Sequence, residues 1–250
     1  MKTAIVTGAA SGIGLATATL LWEKDWNVVA ADLNANGLAQ FVDADPTRRA
    51  GCAGDVSKAS DAQAIVDTAI ERFGQLDALI NIAGIEIDQS VDLLMESDWD
   101  RVVDSSLKGT YLCSKAAIPE LRRAGGGSVV NTGSALGRAS MPKTTAYSAS
   151  KAGIEALTRT MALDHAVDRI RVNCVLPGIT DTPLVWGHLA GDELAAARAV
   201  AAADVPLGFI AQPRQIAEVY AFLISPAAEF ITGASLVVDG GTLARLASRY

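Results

Sequence analysis

The apolar positions along this chain follow two alternating rhythms. Short runs rich in β-branched residues, at 4–7, 27–31, 49–52, 78–81, 128–132, 171–176 and 235–238, predict seven strands. Between them, stretches at 13–24, 58–73, 97–122, 147–167 and 213–223 repeat apolar residues at helical spacing. In 58–73, Ala62, Ile65, Val66, Ala69, Ile70 and Phe73 would share one helix face. Strands alternating with helices imply βαβ units, and so a parallel sheet covered on both faces. The runs 27–31 and 128–132 are largely apolar throughout, as doubly buried strands require. The predicted class is α/β, a doubly wound parallel sheet of about seven strands flanked by helices.

One stretch breaks the rhythm. Residues 178–208 lie between the sixth strand and the last helix and carry Pro183, Gly187, Gly191 and Pro206 around an Ala-rich helical piece at 192–203. Long excursions in compact domains often serve function, here as a substrate-facing lid, or the Ala-rich helix is ordinary surface packing. No linker, repeat or low-complexity block divides the chain, so 1–250 reads as a single domain.

Composition narrows the function. The longest unbroken apolar run, 219–224, has six residues, whereas a membrane-spanning helix needs about 20. Met1 is followed almost at once by the first strand, which leaves no room for a targeting peptide. A net charge of −7 argues against nucleic acid as a partner, since that binding draws on clustered Lys and Arg. The pairs Arg48–Arg49 and Arg122–Arg123 read as solvated surface. Three widely spaced cysteines and two histidines suggest neither a disulfide framework nor a metal centre. These features predict a soluble, cytoplasmic, metal-free protein without a membrane or nucleic-acid partner.

The first strand runs into Thr7-Gly8-Ala9-Ala10-Ser11-Gly12-Ile13-Gly14 and then a helix. Glycines at such a turn let the backbone approach a pyrophosphate, which the free N–H groups of the helix N-terminus favour. Eighteen residues after Gly14 the second strand ends in Asp32. A carboxylate there accepts hydrogen bonds from an adenosine ribose and repels a 2′-phosphate. No Arg or Lys stands in the turn or beside Asp32 to reverse that preference, so NAD is favoured over NADP. The alternative makes Asp32 a helix N-cap or turn acid.

The glycine spacing, Asn81-Ile82-Ala83-Gly84, and Ser134 thirteen residues before Tyr147-Ser148-Ala149-Ser150-Lys151 together resemble the short-chain dehydrogenase/reductase family. Pro177-Gly178 and Val238-Asp239-Gly240-Gly241 extend the match over essentially the whole chain. The resemblance implies a Rossmann fold and an NAD-dependent oxidoreductase of secondary alcohols and ketones.

The residues themselves support that chemistry. Tyr147 and Lys151 are four apart at a helix start and so project from one face. An ammonium nearby would lower the tyrosine's pKa and suit it to exchange a proton with an alcohol or ketone oxygen. Ser134 can hydrogen-bond the same oxygen. Alternatively, Tyr147 and Lys151 form a surface helix pair. By resemblance, Lys151 also binds the nicotinamide ribose, and Gly8, Ser11, Gly12, Ile13 and Gly14 surround the pyrophosphate. Likewise Asp55 and Val56 meet adenine, Asn81, Ala83 and Gly84 line the dinucleotide path, and Pro177, Ile179 and Thr182 flank the carboxamide. Asp55 and Thr182 could instead be helix N-caps.

Two departures from the family pattern bear on mechanism. The family commonly has a second asparagine where Ile82 stands, and an asparagine where Ser106 stands. That asparagine is thought to hold a water in a relay reaching the lysine. Ser106 could hold a water too, with a shorter reach, which makes it a candidate catalytic residue in an altered relay. Both departures also motivate an alternative, an NAD-binding regulatory pseudoenzyme without turnover. An epimerase on the same cofactor is a third reading, disfavoured by the short length. The three-residue gap between Tyr147 and Lys151 speaks against the enoyl-reductase branch.

Substrate signals are mixed. Leu184, Val185, Trp186 and Leu189 in the excursion favour an apolar, cyclic or aromatic secondary alcohol. Arg138 and Lys143 could instead meet an anionic substrate, and Glu86 follows the 81–84 segment. By resemblance the protein is expected to be a homotetramer.

Overall fold

The computed structural model describes residues 1–245; the expected domain extends to 250, and 246–250 lie outside the described residues. Seven strands, β1 (Thr3–Thr7), β2 (Asn27–Asp32), β3 (Arg49–Ala53), β4 (Ala78–Asn81), β5 (Gly127–Thr132), β6 (Ile170–Pro177) and β7 (Ser235–Val238), form one sheet. Its order is β3-β2-β1-β4-β5-β6-β7 and every pairing is parallel. Chain direction across the sheet reverses between β1 and β4. In sheets of this kind a crevice opens there, outside the carboxyl ends of the strands.

The strand residues alternate between two cores, as their period of two demands. Ala4 and Val6 of β1 face α1 (Gly12–Glu23), α2 (Ala35–Asp43) and α9 (Pro213–Ile224), where they meet Leu21, Phe41, Ile216 and Tyr220. Ile5 faces the opposite core with α3 (Ala59–Phe73), α5 (Gly109–Arg123) and α6 (Thr145–Asp164), among Ile65, Cys113, Leu121 and Met161. Every residue of β1 is buried, which explains why its sequence carries no alternation of polarity.

Three local features depart from the sequence reading. Helix α2 was not anticipated: it is short and holds Gly37, a poor helix former, but Asn34 caps it by accepting from Gly37 N–H at 3.1 Å. The long helix expected at 97–122 is α4 (Glu96–Val103) and α5 joined by one π-helical turn, Asp104–Lys108. Arg49 is not solvated surface. It is buried on β3 between the rings of Trp22 and Phe41, its guanidinium carbon 3.9 and 4.5 Å from their centroids.

The 178–208 excursion folds into α7 (Pro183–Trp186) and α8 (Gly191–Asp204). Arg198 of α8 donates to Asp181 from Nε at 3.1 Å, and Thr180 pairs with Ala211, which ties the excursion back to the sheet's carboxyl edge. No helix among the described residues is long and apolar enough to cross a membrane.

Candidate active site

The turn after β1 is built for close approach. A Cβ on Gly14 would lie 1.9 Å from the Gly8 carbonyl oxygen, so only glycine lets α1 start this tightly against the turn. Ser11 makes no side-chain cap to α1, which leaves the helix's first N–H groups for an anion. Thr7 Oγ1 accepts from Ile82 N–H at 3.0 Å and Ala83 N–H at 3.1 Å, fastening the ends of β1 and β4 to each other. Asp32 accepts from Ala10 N–H at 3.0 Å and Asn34 N–H at 2.9 Å. It is therefore a turn acid, yet it also lines the crevice.

The crevice is a cavity of about 440 Å³, within the range of cofactor sites. Gly8, Ser11, Gly12, Ile13, Gly14 and Asp32 line it, together with Ala83 and Gly84. Ser134, Tyr147 and Lys151 line the same cavity, as do Pro177, Thr182, Leu184 and Val185. Glycine cradle, open helix end and terminal carboxylate fit a dinucleotide, and no Arg lines the cavity among the described residues.

Other expected site residues lie beside the cavity rather than in its lining. Asp55 accepts from Ser57 N–H at 3.0 Å and Ser57 Oγ at 2.7 Å, so its carboxylate shapes the turn into α3. Val56 is buried beneath Gly109. Ile179 lines a separate, smaller cavity with Val205, Leu207 and Phe209. Asn81 is a tie between strands: its Nδ2 donates to Asn131 Oδ1 at 2.9 Å and to Ser114 Oγ at 3.1 Å.

The catalytic candidates converge. Lys151 sits one turn after Tyr147 on α6, its Nζ 5.3 Å from the Tyr147 ring centroid. Burial depresses the lysine's pKa to about 8, with Cys174 and Glu86 opposing. Burial also pushes the Tyr147 phenol up, Glu86's charge adds to that, and the Ser134 hydroxyl pulls it down. The expected lowering by Lys151 does not prevail. Its Nζ donates at 2.9 Å to the Thr132 main-chain oxygen, and desolvation of the phenol dominates.

Beneath these groups runs a buried hydroxyl chain that the sequence did not announce. Thr132 Oγ1 lies 2.6 Å from the Asn81 carbonyl oxygen and 2.7 Å from Tyr220 Oη. A carbonyl can only accept, so Thr132 donates to Asn81 and Tyr220 donates to Thr132. Thr132, Gly133 and Thr180 also line the cavity unforeseen. Nothing in their spacing marks them, because strand-end residues enter a crevice through register alone.

Ser106 occupies the π turn. Its Oγ is fully buried without a hydrogen-bond partner among the described residues and lies 2.9 Å from where a Gly84 Cβ would stand; Lys151 Nζ lies 3.6 Å from the same point. Larger residues at position 84 would close this gap between serine and lysine.

The substrate side is partly charged. Arg138 is paired with Glu155, donating from Nε at 3.0 Å and Nη2 at 2.8 Å, while its side chain stays 44% exposed. Lys143 lines a separate cavity with Met141 and Ser148.

Comparison with known proteins places this geometry. A family model described as enoyl-(acyl carrier protein) reductase matches residues 8–242. The cis-4-hydroxycyclohexanecarboxylate dehydrogenase of Sinomonas cyclohexanicum is 43% identical over 243 residues, covering 96% of each chain. Among solved structures, the 3-ketoacyl-(acyl-carrier-protein) reductase of Brucella melitensis complexed with NADH superposes with a TM-score of 0.89 at 31% identity, over 96% of this chain and 98% of that one. The ligand-free aldohexose dehydrogenase of Thermoplasma acidophilum gives 0.92 at 30% identity, over 100% and 96%.

Proposed function

The chain belongs to the short-chain dehydrogenase/reductase family, enzymes of CH–OH groups with a nicotinamide cofactor, and we propose that it interconverts a secondary alcohol and a ketone with NAD. The observation that carries this reading is the meeting, in one cavity, of the glycine turn and Asp32 with Ser134, Tyr147 and Lys151.

In this reading Tyr147 exchanges a proton with the substrate oxygen as general acid and base. Ser134 hydrogen-bonds that oxygen. Lys151 supports the phenolate and holds the nicotinamide ribose, and Ser106 holds a water that passes protons toward Lys151. The bound nicotinamide supplies hydride transfer. Asp32 sets the preference for NAD by facing the adenosine ribose with a negative charge. Asp55 and Val56 would meet adenine, and Ile179 the carboxamide, by main-chain groups.

Leu184 and Val185 in the cavity lining favour a cyclic alcohol with an apolar ring; the ring of the 4-hydroxycyclohexanecarboxylate in the Sinomonas relative's name accords with that, and its carboxylate accords with the anionic alternative. Enoyl reduction is not proposed, because Tyr147 and Lys151 stand one helical turn apart. The alternative of an NAD-binding protein without turnover has only Ile82 and Ser106 in its favour, and the complete Ser134–Tyr147–Lys151 set weighs against it.

Residues 1–250 are taken as one catalytic domain, with 178–208 on the substrate side. A homotetramer is supported by the free edge of β7 and by exposed Val237 and Phe230. Three unpaired thiols, Cys52, Cys113 and Cys174, suit a cytoplasmic setting.

The test is a panel of secondary alcohols and ketones assayed with NAD and NADP side by side. Turnover with NAD above NADP is expected. Preference for NADP would overturn the role of Asp32, and no turnover at all would overturn the enzyme.

A further inference from the structure

One ion pair close to the reacting groups has no part in the steps above. Tyr147, Lys151 and Glu155 recur every fourth residue along α6, so they share one face of the helix. Tyr147 and Lys151 line the cavity, and Glu155 does not. Its side chain is only 7% exposed, which makes it the most shielded acid of any ion pair among the described residues. A carboxylate withdrawn from water is costly unless it is paired. Its partner is Arg138, whose Nε and Nη2 both donate to Glu155 Oε2, at 3.0 and 2.8 Å.

Arg138 ends the turn that carries Ser134. That turn is anchored to the sheet at Gly133, whose N–H donates to the Val175 oxygen at 2.8 Å. Ser134 Oγ accepts from Leu136 N–H at 3.1 Å, and Gly137 N–H donates to the Ser134 main-chain oxygen at 3.0 Å. The N–H groups of Arg138 and Ala139 both donate to the Ala135 oxygen at 3.0 Å. Residues 134–138 therefore move as one body, and the backbone of that body directs the serine hydroxyl. Accepting from Leu136 leaves the hydroxyl proton to be given to a substrate oxygen.

The turn docks on α6 at two points. At Gly137 it runs so close that a Cβ would stand 3.0 Å from Ala152 N and 3.1 Å from the Lys151 carbonyl carbon. At Arg138 the guanidinium reaches Glu155, one helical turn beyond Lys151. Two N–H bonds from a planar fork hold direction as well as distance.

Resting on the dehydrogenase reading, we propose that Arg138 and Glu155 are positioning residues for that reaction. Their ion pair clamps the Ser134 turn to the helix carrying Tyr147 and Lys151, and so sets the spacing of the two hydroxyls that meet the substrate oxygen. Neither residue lines the cavity, so both act through Ser134. Such spacing matters because a misplacement of about 1 Å can cost on the order of 100-fold in rate.

The experiment measures kcat, KM for NAD and denaturant stability in the parent and in Arg138→Met/Glu155→Met, each with and without Ser134→Ala. The paired substitution leaves no unpaired carboxylate, so stability should stay close to the parent's. Its kcat should fall about tenfold or more, with KM for NAD within about twofold of the parent's. In the Ser134→Ala background it should lower kcat by no more than about twofold further, because the group it aims is gone. Parent-like kcat in the paired variant overturns the proposal, and so does an equal loss in both backgrounds. If the paired variant does not fold, the same cycle with Arg138→Lys decides. A loss that vanishes with Ser134→Ala supports the clamp, and no loss, or an equal one in both backgrounds, overturns it. If the parent turns over no alcohol or ketone with either cofactor, the dehydrogenase reading fails and the pair loses the reaction it would serve.

Discussion

Lys151 gives a proton of its Nζ to the main-chain oxygen of Thr132, 2.9 Å away, while no carboxylate among the described residues comes within ion-pair distance of it. A buried ammonium satisfied chiefly by one carbonyl is held at a cost to the fold.

That cost has a sign that can be measured. The lysine's pKa is depressed to about 8 in the folded protein, from 10.5. Below pH 8 both states are protonated and folding bears the full penalty. Between these values the unfolded chain binds the extra proton, so stability rises with pH. Lys151→Met should abolish activity yet stabilise the protein at pH 7, by at most ~3 kcal/mol at about 1.4 kcal/mol per pKa unit. Denaturant titrations of both proteins should show the advantage shrinking as pH rises toward 10.

Tyr147→Phe removes the one hydroxyl assigned to proton exchange while keeping the buried ring. Turnover should fall by ~10²–10⁴-fold, the usual contribution of a positioned acid or base. NAD affinity, measured by fluorescence titration of the full chain, should stay close to the parent's. A comparable loss in both would assign the hydroxyl to cofactor binding as well.

Asp32→Ser removes the charge at the ribose end. The ratio of kcat/KM for NAD to that for NADP should drop by ~10–100-fold, the worth of one or two charge-assisted hydrogen bonds. Because Asp32 also accepts from Ala10 and Asn34, the variant should lose ~1 kcal/mol of stability as well. Unchanged selectivity with lowered stability would reduce Asp32 to a turn acid.

Ser106→Asn introduces the longer amide that the family resemblance leads one to expect at this position. The serine hydroxyl is buried and unpaired near Lys151, so a longer polar group should shift the pH profile of kcat and change turnover. Identical rates and profiles would show that proton passage through this position does not limit the enzyme.

The sequence was most legible where burial dictates composition. All seven strands stand within a residue of their apolar runs; the five inner ones are buried along nearly their whole length, which leaves few polar positions to blur their ends. Gly14, Tyr147 and Lys151 were readable because a turn and a single helix fix their spacing. What escaped were features made by long-range register. Thr132 meets Asn81 and Tyr220 only once β4, β5 and α9 are assembled, 51 and 88 residues apart in the chain. Helix α2 escaped for a local reason, since Gly37 weakens its pattern and one asparagine cap restores it. Arg138 looked available in the sequence, and its partner Glu155 lies 17 residues away on α6.

The π turn at Asp104–Lys108 places one residue more in that turn than the α-helix on either side would hold. Elsewhere in the helix a lost residue would rotate everything beyond it by about 100°. Here the loss would leave an ordinary α turn and keep α5 in phase, so Cys113, Ala117 and Leu121 would stay in the core they share with α3. What would change is the placement of Ser106, which the wide turn holds beside Gly84. The extra residue therefore serves the active site rather than the core.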